Sequence, residues 1–322
     1  DDLRAITITE QNMVLFRASD GTLVALEDRC PHRLLPLSKG KRIGDTVQCG
    51  YHGMTFGADG KCVRVPGQDN LPASAYVDTF PVHEAHGIVW IWPGEAALAA
   101  NTPVFDMPEF SDPNWQAHHG DGLHLKANYL NVAENLVDPA HVSFVHPTTL
   151  GSAASENVPV HVSTSGDTIL AWRWIKDAPP IGFFQNFGGF EGHVDRWHYY
   201  HYYAPSIAII DFGSAAAGTG APEGNRDECI QIFACHFMTP VDEFNTIDHW
   251  LHVKNFHADD ALNKKLSDEF RTAFAEDKAI LEAIQLNEEA NPDFKKVKIA
   301  IDAAPGRMRR MVDTMIAKDL EI

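Results

Sequence analysis

The segments Cys30-Pro31-His32-Arg33 and Cys49-Gly50-Tyr51-His52-Gly53 decide how the start of this chain folds, and 16 residues separate His32 from Cys49. Each segment places one thiolate donor and one imidazole donor close enough to lie on a single loop. Four such donors can hold one zinc ion in a tetrahedron. They can also hold a [2Fe–2S] cluster in which two histidines replace two cysteines on one iron.

The residues that flank the four donors favour the cluster over zinc. Zinc ribbons and fingers usually pair cysteine with cysteine, whereas each segment here is mixed. Pro31 and Gly50 are residues that shape tight loops. The two segments together resemble the Rieske signature. We therefore predict a [2Fe–2S] cluster whose ligands are Cys30, His32, Cys49 and His52.

A second polar constellation lies within residues 128–147, a mostly helix-compatible stretch. Asn135, Asp138 and His141 follow one another at intervals of three residues, so a helix would project them from one face. The alternative is that Asp138 caps a helix that begins at Pro139, with the histidine as ordinary polar surface. The spacing alone leaves both alternatives open.

His146 follows His141 by five residues, whereas a spacing of four would align two ligands on a regular helix. If both histidines bind one ion, the helix must widen or end between them. Pro147 marks an end, because proline interrupts a helix. The two histidines are thus candidate ligands of a second metal ion.

Both motifs together resemble those of the oxygenase (α) subunits of Rieske non-haem iron oxygenases. The resemblance covers nearly the whole chain and is closest to vanillate O-demethylase oxygenases and dicamba monooxygenase. Further similar segments are Val65-Pro66-Gly67-Gln68 and Val194-Asp195-Arg196-Trp197. The resemblance implies that His141 and His146 bind a mononuclear iron, that Asp138 is a bridging acid and that Asn135 lies near the iron.

The same resemblance implies the cofactors and the partners. They are one [2Fe–2S] cluster and one mononuclear Fe(II) in each chain, a head-to-tail homotrimer, and a separate NADH-dependent reductase with flavin and iron–sulfur centres. The implied reaction uses dioxygen to hydroxylate or O-demethylate an aromatic substrate. The alternatives are a subunit of a ring-dihydroxylating dioxygenase and a Rieske electron-transfer protein without oxygenase activity.

Sequence periodicity points to a third iron ligand. Residues 259–289 are predicted to form one helix with an apolar stripe, and Asp277 interrupts that stripe. A carboxylate on a buried face is costly unless it is paired, hydrogen-bonded or bound to a metal. Its neighbours Glu276 and Lys278 are expected to point elsewhere. The stripe consists of Leu266, Phe270, Phe274, Leu281 and Ile284.

A buried aspartate bonded to backbone or arginine remains the alternative for Asp277. The segment Ala275-Glu276-Asp277-Lys278 also resembles the third-ligand region of the family. We therefore predict the iron triad His141, His146 and Asp277, since a two-histidine triad needs one further acid.

The substrate residues are less well marked. Residues 182–190 are predicted to form a flexible glycine-rich loop, whose Phe184 and Phe187 line the pocket or belong to the core. His201 lies on a strand that can contribute one face to the pocket. His236 resembles a substrate-contacting histidine of dicamba-type members. Asp268 stands where that group has a tryptophan, which argues against dicamba itself as substrate.

These elements predict an α+β fold. An all-β Rieske domain is expected over residues 1–105, where residues 6–17 and 23–28 form a hairpin. A catalytic domain is expected over residues 106–322, with an antiparallel sheet and surrounding helices. Its predicted strands are 158–175, 194–211, 227–238 and 245–256.

Composition narrows the function classes. The formal charge of −18 argues against nucleic acid as a partner. No segment approaches the roughly 20 apolar residues of a membrane span. Three cysteines beyond the cluster pair are scattered, which fits a cytoplasmic location, and no leader sequence is evident. Residues 218–224 are spaced wrongly for a dinucleotide loop, so another protein is expected to bind NADH.

Overall fold

The computed structural model describes residues 2–320 of the chain. These residues form two compact units, of which the first ends at Asp106 and the second begins at Met107. Strands dominate the first unit, while the second combines one large sheet with helices. This architecture confirms the predicted α+β class.

The first unit contains ten short strands and one short helix. Strands β1, β2, β3 and β8 form one antiparallel sheet, strands β4 to β7 form another, and β9 pairs with β10. The elements are β1 Arg4–Ile8, β2 Gln11–Arg17, β3 Leu23–Glu27, β4 Lys41–Ile43, β5 Thr46–Gln48, β6 Thr55–Phe56, β7 Cys62–Arg64, β8 Thr79–Phe80, β9 Val82–Ala85, β10 Ile88–Ile91 and α1 Ala96–Ala99.

The apolar core of this unit surrounds the predicted cluster cysteines. Val14, Leu26 and Phe56 are fully buried in the same core as Cys30 and Cys49. The predicted strand 6–17 is in fact two strands. Thr9 and Glu10 have positive φ angles of 46° and 65°, which turn the chain between β1 and β2.

The second unit is built on a seven-stranded antiparallel sheet in the order β11-β17-β16-β15-β14-β13-β12. Its elements are β11 Gln116–Leu125, α2 Tyr129–Leu136, α3 Val142–Val145, β12 His161–Ser165, β13 Thr168–Ala178, α4 Gly182–Gly188, β14 Val194–Tyr203, β15 Ile207–Ala216, β16 Cys229–Asp242, β17 Asn245–Lys254, α5 Asp260–Ala290 and α6 Ala303–Asp319.

Two predicted strands of this unit are hairpins. The stretch 158–175 turns at Gly166, whose φ of 54° is a conformation that glycine adopts without strain. The stretch 194–211 is interrupted at Pro205, because proline has no N–H to donate to the sheet. The apolar alternation continues through both turns, and it therefore did not reveal them.

The stretch 128–147 is not one continuous helix, and this corrects the prediction that one helical face carries all three polar residues. Helix α2 ends at Leu136, and α3 begins only after His141. The residue before a proline disfavours helical backbone, and Pro139 follows Asp138. The predicted end at Pro147 is confirmed, because α3 stops at Val145.

Helix α5 carries Asp277 on its buried side, as predicted. Asp259 caps its start, since the carboxylate accepts a hydrogen bond of 2.8 Å from the N–H of Leu262. The prediction for Ile284 is wrong, because this side chain is 40% exposed. Gln285, four residues after Leu281, continues the buried face and accepts a hydrogen bond from the N–H of Asn128.

The predicted flexible loop at 182–190 contains helix α4. Its phenylalanines Phe183 and Phe184 are buried, and this burial stabilises a helix despite the glycines. Gly189 ends the helix with a φ of 60°. Across residues 2–320, no helix is long and apolar enough to cross a membrane.

Candidate active site

The two cysteine-histidine loops have equivalent backbone geometry. The N–H of Cys30 donates to Leu35 O at 2.9 Å and Cys30 O accepts from Leu34 N at 2.9 Å. The second loop has the same pattern of bonds. There the N–H of Cys49 donates to Met54 O at 2.8 Å, and Cys49 O accepts from Gly53 N at 3.1 Å.

The donors divide into a buried pair and an exposed pair. Cys30 and Cys49 are 2% and 3% exposed, and both are free thiols. His32 and His52 are exposed, with ring centroids 4.6 Å apart. No three of these four side chains offer ligand atoms within 4.8 Å of one another, whereas the ligands of a tetrahedral zinc lie closer together. The donor set therefore fits two metal ions better than one.

A second donor group lies in the catalytic unit. His141, His146 and Asp277 offer ligand atoms that all lie within 4.8 Å of one another. Asp277 Oδ1 is 3.1 Å from His146 Nε2 and 3.5 Å from His141 Nε2. Two imidazoles and one carboxylate are the ligand set of mononuclear non-haem Fe(II) sites with open positions.

Neighbouring groups fix the orientation of both histidines. Nδ1 of His141 lies 2.5 Å from Asp138 O, and Nδ1 of His146 lies 2.7 Å from Glu276 Oε2. These contacts direct both Nε2 atoms toward Asp277. The expectation that Glu276 points elsewhere is therefore wrong, because the helix turn brings it beside His146.

Asn135 and Asp138 lie at the edge of this group. Asn135 Nδ2 donates to Asp277 Oδ1 at 2.9 Å. Asp138 does not cap a helix; its Oδ1 accepts from the N–H of Ala140 at 2.7 Å. Burial raises the pKa of Asp138, which outweighs the opposite influence of His141. Burial also opposes ionisation of Asp277, but its hydrogen bond from His146 and the charges of both histidines hold its pKa below the ordinary value.

A cavity opens beside the donor group, and most of its wall is apolar. His236 lines this cavity, as the sequence predicted it could, and its Nδ1 lies 2.7 Å from Asp248 Oδ2. Its Nε2 is buried and has no hydrogen-bond partner in the described chain. The apolar wall includes Leu150, Ile181, Ile210, Phe212, Phe270 and Phe274.

The other predicted substrate residues lie outside this lining. Phe184 packs behind the wall, with its ring centroid 5.9 Å from that of Phe212. Phe187 contacts Phe183, one layer further from the cavity. His201 stacks on Tyr203 at 6.2 Å on the face of β14 opposite to the lining residues His198 and Tyr200, because strand side chains alternate.

Comparison with known proteins follows the same division of the chain. Residues 1–81 match the Rieske [2Fe-2S] domain, and residues 125–318 match the vanillate O-demethylase oxygenase C-terminal domain. The chain is 40% identical over 318 residues to the putative toluene-4-sulfonate monooxygenase system iron-sulfur subunit of Comamonas testosteroni, covering 97% of this chain and 91% of that protein. This chain is a Rieske non-haem iron oxygenase.

Further comparisons place it among the vanillate and dicamba enzymes. It is 31% identical to the vanillate O-demethylase oxygenase subunit of a Pseudomonas species, with 97% of this chain and 96% of that protein covered. The crystal structure of dicamba monooxygenase bound to dicamba superposes with a TM-score of 0.87 at 28% identity, covering 100% of this chain and 94% of that chain. The oxygenase thus has a Rieske [2Fe–2S] domain and a non-haem iron site at His141, His146 and Asp277.

Some residues that shape the oxygenase site were missed in the sequence. Arg173 is 1% exposed and donates to Pro139 O at 2.5 Å, Ser155 O at 2.9 Å and His198 Nδ1 at 3.3 Å. It thereby ties together the segments on both sides of the iron histidines. The available signal was a charged residue between Trp172 and Trp174 on a strand predicted to have a buried face.

Glu276→Ala is expected to weaken iron binding of the oxygenase without unfolding it. The variant removes the carboxylate that orients His146, and loss of such a partner typically lowers metal affinity by about 10- to 100-fold. Iron titration of metal-depleted protein, followed by product formation, measures the shift. Activity should return at high Fe(II). An unchanged iron affinity would contradict an orienting role for Glu276.

Proposed function

We propose that this chain is the terminal oxygenase of a multicomponent system that hydroxylates a methyl group, or removes an O-methyl group, on an aromatic substrate. The observation that carries the proposal is the position of the triad. His141, His146 and Asp277 line the same cavity as aromatic and aliphatic side chains. An apolar cavity beside an iron with open positions suits an aromatic ring held against activated dioxygen.

The curated relatives support an aromatic substrate and leave its identity open. Their names refer to toluene-4-sulfonate, vanillate and dicamba. All three name substituted benzene rings. The Comamonas testosteroni relative, at 40% identity, acts in a toluene-4-sulfonate monooxygenase system, so an aryl methyl group is the first substrate feature to test.

His236 supplies a polar contact to the substrate in this proposal. Asp248 holds its Nδ1, so the ring cannot turn freely, and the unpaired Nε2 is available to a polar substituent. The ring also lies against Phe274, with 5.2 Å between centroids. The contact therefore fixes how the aromatic ring enters the cavity.

When bound, the cluster supplies single electrons, and the mononuclear iron supplies open positions for dioxygen beside the substrate. Asp138 is proposed to hydrogen-bond to a cluster histidine of a neighbouring subunit in a head-to-tail trimer. One of its carboxylate oxygens accepts from Ala140 N, which leaves the other for such a partner. The exposed imidazoles of His32 and His52 are suited to an intersubunit contact.

The electrons are proposed to come from NADH through a separate reductase that carries flavin and an iron–sulfur centre. The names of the relatives as an iron-sulfur subunit of a system and as an oxygenase subunit support this arrangement. The dihydroxylating alternative differs in its product, which would be a diol with both oxygen atoms added to the ring.

His52→Ala is expected to bleach the visible spectrum of the cluster while the mononuclear iron remains bound. The variant removes one of the two imidazoles from the outer iron, and the triad lies in the other unit of the chain. Absorption spectra and iron analysis measure both effects. His83→Ala, a histidine of β9 outside the cluster loops, is the control. An intact Rieske spectrum in the His52 variant would place the ligand elsewhere.

The function is tested by supplying a surrogate reductase, NADH and a panel of aryl compounds. The panel includes toluene-4-sulfonate, vanillate and dicamba. NADH consumption, formaldehyde release and product mass under labelled dioxygen are measured. One labelled oxygen in a benzylic alcohol, or formaldehyde with a phenol, supports the proposal. A diol product favours the dioxygenase alternative, and electron transfer without any product overturns the proposal.

A further inference from the structure

A buried cationic cluster lies beyond one end of the substrate cavity. Arg196 is 0% exposed, and only its Nη2 is bonded, to Ser152 Oγ at 2.7 Å. Its Nε and Nη1 are buried without a partner in the part of the chain that the structure describes. A buried charge and unpaired donors each destabilise a fold unless something binds them.

A second unpaired donor faces Arg196 from the next strand. Ser214 on β15 is directly opposite Arg196 on β14, and its Oγ is fully buried without a hydrogen-bond partner among residues 2–320. Residues opposite each other on an antiparallel pair point to the same face. The guanidinium and the hydroxyl can therefore converge on one ligand.

The cavity reaches the row next to this pair. His198 and Phe212, opposite each other, both line the cavity. Arg196 and Ser214 occupy the following same-face row, about 7 Å further along the strands at roughly 3.3 Å per residue. A substituent that extends from the ring past His198 would arrive at the two unpaired groups.

His198 adds a donor whose orientation is fixed. Its Nδ1 accepts a hydrogen bond from Arg173 Nε at 3.3 Å, so in the neutral ring the proton lies on Nε2. That nitrogen has no partner in the described chain and belongs to a residue of the cavity wall. The end of the cavity therefore offers N–H and O–H donors.

The cluster has no acidic counterpart. Within residues 2–320, no carboxylate forms an ion pair with Arg196, and the nearest charge acting on it is the Arg173 guanidinium. Burial and then Arg173 lower the pKa of Arg196 to about 10, so it still carries its charge at neutral pH. A site with positive charge, several donors and no acid is complementary to an anion.

We propose that Arg196, Ser214 and His198 bind the anionic group of the substrate, a sulfonate or carboxylate on an aryl ring whose methyl or methoxy group faces the iron. This inference rests on the proposed function and names its substrate class. Binding the anion satisfies donors that are otherwise unpaired. Neutral analogues would leave the same donors buried and unpaired, and they would bind more weakly.

The experiment compares toluene-4-sulfonate with toluene-4-sulfonamide, which has nearly the same shape and no charge. Titration calorimetry is performed on the iron-loaded holoenzyme without NADH or reductase, so no turnover occurs. The wild-type protein is expected to bind the sulfonate about 10- to 100-fold more tightly than the sulfonamide, the range of a charged hydrogen-bonded contact. Equal affinities would overturn the proposal.

Variants assign the preference to the cluster. Arg196→Gln should bring the two dissociation constants within about twofold, mainly by weakening sulfonate binding. Ser214→Ala removes an unpaired hydroxyl and should reduce the preference by about threefold to tenfold without unfolding the protein. It keeps the proposal testable if the arginine variant fails to fold. Arg226→Gln is the matched control, because Arg226 stacks on Trp197, on the opposite face of the sheet.

Two further measurements distinguish this site from the opposite cavity wall and from a free halide site. If His236→Asn, rather than the Arg196 and Ser214 variants, abolishes the preference, the anion binds at the other wall and the proposal is wrong. Replacing chloride by gluconate at equal ionic strength tests a free halide. Chloride is expected to compete with the sulfonate. Stabilisation by chloride that is lost in Arg196→Gln but leaves sulfonate affinity unchanged would show a structural halide site and overturn the proposal.

The oxygenase function can fail or hold independently of this inference. With reductase and NADH, oxidation of the sulfonamide tests oxygenation without any anion. Product from both compounds with no difference in their binding would support the oxygenase and sink the anion site. Preferred binding of the sulfonate without product would support the anion site and sink the proposed reaction.

Discussion

Asp277→Ala is expected to lose the mononuclear iron and all product formation while it keeps the Rieske spectrum. Iron content should fall from about three to about two atoms per chain. The carboxylate supplies the acidic corner of the triad, and Asp277 Oδ1 lies within 3.5 Å of both histidine Nε2 atoms. Two neutral imidazoles alone would compete poorly with water for Fe(II). Metal analysis, absorption spectra and product assays measure the three effects.

The fold of this variant should survive. Asp277 is buried on α5, and removing a buried carboxylate also removes its desolvation cost. Asn135 Nδ2 and His146 lose a partner, which limits any gain. Asp268→Ala on the same helix is the matched control, because Asp268 is exposed and pairs with Lys264 and Arg271 outside the cavity.

Two outcomes would contradict this assignment. A variant that keeps its third iron and its activity would move the ligand to another acid, with Glu276 first because it already contacts His146. A variant that unfolds while the Asp268 control stays folded would favour a structural role for the carboxylate. The iron affinity of Glu276→Ala separates an orienting carboxylate from a ligating one.

The metal centres could be predicted from the sequence because each depends on local spacing. The cluster loops are closed by hydrogen bonds within six residues, so the donors Cys30 and His32 share a loop wherever the domain lies. Asp277 was found through the period of α5, which is also a local property. The comparison with known families then agreed with both.

The walls of the cavity could not be predicted in this way. Arg173 and Arg196 lie next to the iron segments only because β13 and β14 pair in one register, and register is a tertiary property. The sequence pointed to His201 rather than His198, although the two differ by an odd number of positions. One face of β14 lines the cavity, and alternation alone does not tell which face that is.

Helix ends were a further source of error. The helix-compatible composition of residues 128–147 hid the break between α2 and α3, where Asp138 and His141 lie outside regular helix. That break is functional in the proposed site. It frees the carbonyl of Asp138 to contact His141 Nδ1 and leaves the Asp138 side chain at the edge of the donor group.

Asp138→Asn is expected to retain both metal centres and to lose most turnover. The amide has the same shape as the carboxylate, and its Oδ1 can still accept from Ala140 N. The backbone carbonyl that contacts His141 Nδ1 is unchanged. What disappears is the negative charge and one acceptor, the group proposed to hold a cluster histidine of the neighbouring subunit.

The variant therefore separates metal binding from coupling between the centres. Spectra and iron content should match the wild type, the cluster should still be reduced by the reductase, and single-turnover product should fall by at least about 100-fold, the scale seen when a charged bridging contact is lost. Glu134→Gln, on α2 and paired with Arg309 away from the cavity, is the control. Normal coupled turnover in Asp138→Asn would reduce Asp138 to a local turn residue. Loss of iron instead would assign it to holding His141, because a bridging acid can be neutralised without disturbing the triad and a structural support cannot.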